Sequence, residues 1–177
     1  MRLGIVGDLD FSKPVANNSG ITFAPKPGFG GGILLEFGLN MKRSLALEIG
    51  GMYSTRKYSE VSTISEIISA PTLFYPVSLK YWFGSMFGIG LGGYASYGIS
   101  NMTVNVGGVN TSVSYSDLNL KKFDYGVQGS VAVYIPFSHR FGLLVDGIYC
   151  YGLANTATVG SYYYTDMHLL AGFRIGF

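Results

Sequence analysis

Apolar and polar positions alternate along most of this chain. From Phe29 every second residue reads Phe29, Gly31, Ile33, Leu35, Phe37, Leu39, while the intervening register reads Gly30, Gly32, Leu34, Glu36, Gly38. From Leu45 the split repeats, with Leu45, Leu47, Ile49, Gly51, Tyr53 set against Ala46, Glu48, Gly50, Met52, Ser54. A period of two predicts strands with two unlike faces. Eight segments behave this way, at about 2–11, 28–39, 45–56, 72–83, 87–99, 123–135, 141–153 and 165–177. Each reaches or slightly exceeds the ~9–11 residues a tilted strand needs to cross a bilayer. The connections alternate in length. Short ones fall near Asn40 to Ser44, Gly84 to Met86 and Pro136 to Arg140, and long ones at 12–27, 57–71, 100–122 and 154–164. Val61, Ile64 and Ile68 sit at helical spacing, so a short helical turn within 57–69 is one expectation.

The residue types say which face meets what. The apolar register runs through Leu3, Ile5 and Leu9, through Leu73, Val77 and Leu79, through Ile89 and Leu91, through Val131 and Val133, and on to Phe173, Ile175 and Phe177, and it carries no charge. The other register holds Arg2, Asp8, Asp10, Glu36, Glu48, Arg56, Lys80, Asp124, Gln128, Asp146, Asp166, His168 and Arg174. A soluble barrel would turn the polar register outward. Here that register is rich in Gly rather than Lys and Glu, and the apolar one carries more large aromatics than a small interior holds. The aromatics also gather at strand ends. Phe37, Tyr81, Phe83, Phe87, Phe137, Phe141 and Phe177 lie near the short turns, and Phe11, Tyr53, Tyr75, Tyr97, Tyr125, Tyr149 and Tyr151 near the long loops. Two such belts suit the headgroup levels of a membrane. A sheet edge in hydrocarbon leaves N–H and C=O groups without partners, so the first and last strands are expected to pair.

Composition sharpens this picture. Only 12% of the 177 residues are charged, against about 25% in soluble domains. No apolar run approaches the ~18 residues of a membrane helix. The net charge of +2 is scattered, without the basic stripe that nucleic-acid binding wants, so no nucleic-acid partner is expected. The lone Cys150 excludes a disulfide framework and a cysteine metal site. Met1-Arg2-Leu3-Gly4 carries no signal peptide although export requires one, and the sequence is read as that of a mature barrel. The expectation is an all-β, closed, antiparallel up-and-down transmembrane β-barrel of eight strands, one domain over 1–177. It would lie in the bacterial outer membrane, with short periplasmic turns, long outer loops and both termini periplasmic.

Several segments resemble a known family. Thr72-Leu-Phe-Tyr-Pro-Val-Ser-Leu-Lys-Tyr-Trp-Phe83 is similar to the strand of PorT-like outer-membrane barrels that carries an inward Pro and Lys, here Pro76 and Lys80. Lys122-Phe-Asp-Tyr-Gly126 and Tyr149-Cys-Tyr-Gly-Leu-Ala-Asn155 resemble two further markers of that family. Leu170-Ala-Gly-Phe-Arg-Ile-Gly-Phe177 resembles the signal read by barrel-assembly machinery, which implies that machinery as a partner through Phe177. The resemblance covers most of 72–177 and, more loosely, 2–56. It implies an eight-stranded barrel, OmpA- and OmpX-like in architecture, and leaves function open among adhesins, secretion components and barrels of other roles. Phe74 departs from the pattern, which has a polar or acidic residue there.

Candidate chemistry is sparse. Gly88-Ile-Gly-Leu-Gly-Gly93 matches G-x-G-x-x-G but lies inside a strand, without the helix a dinucleotide site requires. His139 falls in a short turn. His168, near Asp166 in the inward register, is a conceivable base for a lipid-active enzyme, with a lumen histidine as the plainer reading. No catalytic, cofactor or metal site is expected. Glu36, Glu48, Lys80 and Arg174 each lie three or four residues from a short turn or the C-terminus, so they are expected to share one lumen layer, with Asp146 slightly above. A structural plug is the favoured reading, since an eight-stranded interior is just wide enough for side chains to fill. A narrow ion or small-solute channel is the alternative. A Gly107-Gly108 pair sits between Val104, Val106 and Val109, Val113, the pattern of a hairpin. The expectation is a ribbon extending strands five and six, with unpaired edges open to a partner strand. The function expected is that of a non-enzymatic barrel, held in outer-membrane lipid, that presents its loops to a surface or secretion-system partner or supports the membrane.

Overall fold

The computed structural model describes residues 1–16, 22–40, 44–61, 66–84, 86–158 and 160–177. Eight strands make the wall: β1 (Arg2–Ala16), β2 (Phe23–Gly38), β3 (Leu45–Glu60), β4 (Glu66–Phe83), β5 (Phe87–Gly98), β8 (Phe123–Pro136), β9 (Phe141–Gly152) and β10 (Tyr162–Gly176). Two short strands, β6 (Met102–Val106) and β7 (Val109–Val113), form a hairpin at the loop end. Each wall strand pairs antiparallel with its neighbour in sequence order, and β1 pairs β10 along its whole length, so the ring closes.

Closure fixes the stagger. Stepping from paired residue to paired residue round the ring leads from Leu3 through Leu35, Ile49, Val77, Gly93, Val127, Tyr151 and Thr165 to Lys13. The path returns to β1 ten residues further along, an even shift that keeps each register on its own face. With a rise of ~3.3 Å per residue and ~4.8 Å between strands, this gives a strand tilt of roughly 40°.

The two registers separate as their chemistry requires. Leu79 and Leu91 are opposed across β4 and β5 and are 52% and 76% exposed on the outer face. Tyr53, Tyr75, Tyr97, Tyr125, Tyr149 and Tyr151 stand exposed toward the loop end, and Tyr81, Phe83, Phe87, Phe137 and Phe177 toward the turn end. The inward register is buried, charges included. Its glycines make room for long side chains in a narrow lumen: a Cβ on Gly90 would lie 2.9 Å from Lys80 Cγ.

The loop end differs from the sequence expectation. The connections expected at 12–27 and 57–71 are largely strand, because β1 and β4 pair outward to Ala16 and Glu66. The four prolines Pro14, Pro25, Pro27 and Pro71 masked this, since Pro cannot donate to a ladder. The β2–β3 register shifts between Lys26 and Gly31, next to Pro25 and Pro27, which places the irregularity where donors are missing. The helical turn expected within 57–69 is strand over 57–60 and 66–69, and 62–65 lie outside the described residues. The hairpin is also not an extension of β5. That strand ends at Gly98, and the chain then crosses so that β6 pairs the outer part of β4, Thr103–Val106 against Ser69–Glu66. One edge of the hairpin is therefore covered, a correction to the expected pair of free edges. Gly107 and Gly108 both adopt positive φ, 57° and 89°, which suits the right-handed twist of a two-residue hairpin turn.

Spin labels at Leu35, Leu47, Leu79, Leu91 and Val133 are expected to show high oxygen and low aqueous-reagent accessibility in bilayers. Leu91→Arg, near the middle of β5, is expected to cost about 2–4 kcal/mol in reversible folding into lipid. A cost near zero would mean that this face does not meet hydrocarbon.

Candidate functional site

The lumen holds two polar networks. Near the short turns, the Arg174 guanidinium on β10 donates to Glu36 Oε2 on β2 at 3.0 Å and to Glu48 Oε2 on β3 at 2.9 Å. Lys80 Nζ on β4 bonds Glu48 Oε1 at 2.8 Å and Asp146 Oδ2 on β9. Arg2 adds a bond to Glu36 Oε1 at 2.9 Å, and the Trp82 indole N–H donates to Glu36 Oε2 at 2.9 Å. The Arg174 guanidinium also lies 5.1 Å from the Trp82 ring centre. The five residues singled out as a lumen layer thus touch in one chain of contacts. Arg2, Lys80 and Arg174 balance Glu36, Glu48 and Asp146, so the network is neutral when all are ionised. Lys80 and Asp146 have no exposed surface, and such groups persist in a dry interior only when paired.

The second network lies toward the loops, and its members were visible in the sequence only as separate polar residues. Arg56 Nη2 donates to Asp124 Oδ2 at 2.7 Å and to Asp166 Oδ2 at 2.5 Å, while its guanidinium lies 4.4 Å from the Tyr164 ring centre. The Tyr94 hydroxyl donates to Asp124 at 3.1 Å. His168 Nδ1 sits 3.1 Å from Asp8, and its imidazole stacks at 4.2 Å on Phe74, the residue that departs from the family pattern. The Ser54 and Ser12 hydroxyls donate to Asp8 and Asp10. Four carboxylates here face Arg56 and His168, so this network is acidic where the other is balanced. Cys150 is buried beside Gln128.

Apolar side chains, Val6, Leu34, Met52, Ile148 and Leu170 among them, pack in the lumen between the two networks. Among the described residues no hydrogen bond or ion pair joins one network to the other. His168 is 2% exposed, and the neighbouring hydroxyls of Ser12, Ser54 and Tyr94 donate to carboxylates rather than to its imidazole.

Above Arg56 the barrel mouth opens into a cavity of about 590 Å³. Phe23, Tyr58, Tyr162 and Tyr164 form its aromatic wall, with Phe23 edge-on to Tyr58 at 5.6 Å between ring centres. The hairpin supplies part of the opposite wall. Val104, Val106 and Val113, read from sequence as part of a candidate partner-binding hairpin, line this cavity. Val109 and the Gly107-Gly108 turn are exposed at the tip. The hairpin base is held by Met102, packed with Ala70 and Tyr115. Tyr115 lies against Gly98, where a Cβ would come within 2.3 Å of its hydroxyl oxygen.

Lys80→Ala leaves Glu48 and Asp146 without their shared cation. A loss of about 3–5 kcal/mol is expected if the site stays dry, read as a lower denaturation midpoint in detergent. An unchanged midpoint would mean that the lysine carries no share of the fold's stability.

The fold has a counterpart among solved structures. Neisserial surface protein A superposes with a TM-score of 0.54 at 16% identity, over 99% of this chain and 97% of that one. OprG from Pseudomonas aeruginosa aligns at 0.49 and 11% identity, covering 98% and 93% of the two chains. The attachment invasion locus protein Ail of Yersinia pestis aligns at 0.46 and 13%, covering 98% and 97%. A search of curated proteins finds no match. The profile of the outer membrane protein beta-barrel domain matches residues 2–158, most of the wall and all of the hairpin, and the chain belongs to that family of outer-membrane barrels.

Proposed function

We propose that this protein is a non-catalytic barrel of the bacterial outer membrane whose lumen is a structural plug and whose working surface is the loop end. The observation that carries this reading is the layering of the lumen. A neutral ion-pair network and an acidic one are separated by packed apolar side chains. An ion crossing the lumen would have to break buried pairs and then pass a mostly apolar layer that offers it few ligands. A lipid-active enzyme centred on His168 has less support, because that imidazole is enclosed between Asp8 and Phe74 and its neighbouring hydroxyls are committed to carboxylates.

At the Phe177 end the strands stop at tight turns, whereas at the other end β1 to β4 run on well past a membrane-length span and the β5–β8 connection carries a hairpin; that asymmetry supports periplasmic termini with an outward loop end, as bacterial barrels arrange them. Phe177 follows the alternating strand β10 with its ring exposed, and an exposed aromatic after such a strand suits recognition by barrel-assembly machinery. The exposed hairpin tip and the Val109–Val113 edge, which pairs only with β6 among the described strands, suit contact with a surface or secretion-system protein by strand addition.

Two measurements test the reading. In planar bilayers the wild type is expected to be silent, while Lys80→Ala combined with Arg174→Ala opens the turn-end layer to water. Steady cation-selective conductance by the wild type would replace the plug with the channel. Thr111→Cys is expected to react with a membrane-impermeant maleimide on intact cells, against a low background because Cys150 is buried. Labelling only after the outer membrane is broken would reverse the orientation.

A further inference from the structure

Two glutamates line the top of the cavity. Glu60 on β3 and Glu66 on β4 are directly opposed, the outermost pair of that ladder, and both lie in the inward register above Tyr58 and Ile68. Directly opposed cross-strand residues hold their Cβ atoms only ~5 Å apart, and like charges in that arrangement repel. Both are half-buried, and among the described residues neither forms a salt bridge with Lys, Arg or His. The remaining wall is mostly aromatic and aliphatic, with Thr111 and Asn119 as its uncharged polar members. A volume near 590 Å³ falls within the ~300–1,000 Å³ typical of small-molecule sites.

We infer that this cavity binds an organic cation with an apolar body, its charge held between Glu60 and Glu66 and its hydrocarbon part laid on the Phe23, Tyr58 and Tyr162 rings. Each part of the wall has a share in this. The carboxylate pair gains a counter-charge that the described residues do not supply. Ring faces and edges accept aliphatic or aromatic groups, and a ring face also attracts cationic charge. Arg56 beneath Tyr164 is already neutralised by Asp124 and Asp166, so it does not offset the pull of the two glutamates. An anion would meet those glutamates unscreened, and a neutral ligand would leave their repulsion in place.

This assignment gives a ligand class to the loop-end surface proposed above and rests on that reading for its biological setting. Binding in detergent depends neither on the orientation in the membrane nor on a closed lumen, so either can fail alone. Phenylbutylamine, phenylbutanol and phenylbutyrate share one hydrocarbon body and are cationic, neutral and anionic at neutral pH. Titrated calorimetrically into the full chain in non-ionic detergent, the amine is expected to bind tightest and the carboxylate not at all. The double variant Glu60→Gln, Glu66→Gln should weaken the amine about tenfold or more and leave the alcohol unchanged. It removes a repulsion, so it should fold, which the mobility shift between heated and unheated samples verifies. Val104→Trp, which fills the cavity from the hairpin side, should abolish binding of both amine and alcohol. Equal affinity for the three compounds, or an amine affinity untouched by the double variant, would overturn the inference.

Discussion

Everything in this molecule depends on the pairing of its first strand with its last. In hydrocarbon an unpaired backbone N–H or C=O finds no water, so a sheet is tolerated only when it has no edge. The β1–β10 ladder removes the edge, and the ten-residue stagger it imposes sets both the tilt and the width of the lumen. That width in turn decides which side chains meet. Arg174, Glu36, Glu48, Lys80 and Asp146 come from five different strands and bond because the stagger brings them to neighbouring heights.

The two polar networks then answer different demands. The turn-end one is balanced, with each carboxylate shared between or bonded to cations, and it works as a cross-brace between opposite walls. The loop-end one has four aspartates against Arg56 and His168, and among the described residues three of its atoms, Asp124 Oδ1, Asp166 Oδ1 and His168 Nε2, are buried without a protein partner. Stability alone favours the first arrangement over the second. The loop end of the lumen therefore bears the larger cost, three such atoms against Asp146 Oδ1 in the turn-end network among the described residues, and it lies directly beneath the cavity at the barrel mouth.

The wall of the barrel could be read from the sequence across its membrane-length part because it obeys one rule there, the period of two. The turn-end network was legible for a related reason: a short turn pins the register, so counting residues from it gives a height in the lumen. Counting fails toward the loops. Arg56 meets Asp166, 110 residues away, only after the stagger has accumulated around the ring, and no local pattern announces that meeting. Glu60 and Glu66 were hidden differently. Prolines made the outer parts of the strands look like loop, and the opposition of two glutamates has no meaning until their strands are known to pair. The hairpin itself was visible in Gly107-Gly108, but its docking on β4 depends on Met102, Ala70 and Tyr115 packing together at a distance in sequence.

The position of Arg174 in the chain has a consequence for biogenesis. Its acidic partners, Glu36 and Glu48, lie on the second and third strands, whereas Arg174 lies on the last. A barrel still lacking its final strand thus has an open seam in the wall and Glu36 with only Arg2 as its ion partner. Neither defect is tolerable in hydrocarbon. Sealing the seam and completing the charge balance are the same event, so a partly assembled wall has no comfortable resting place in the bilayer.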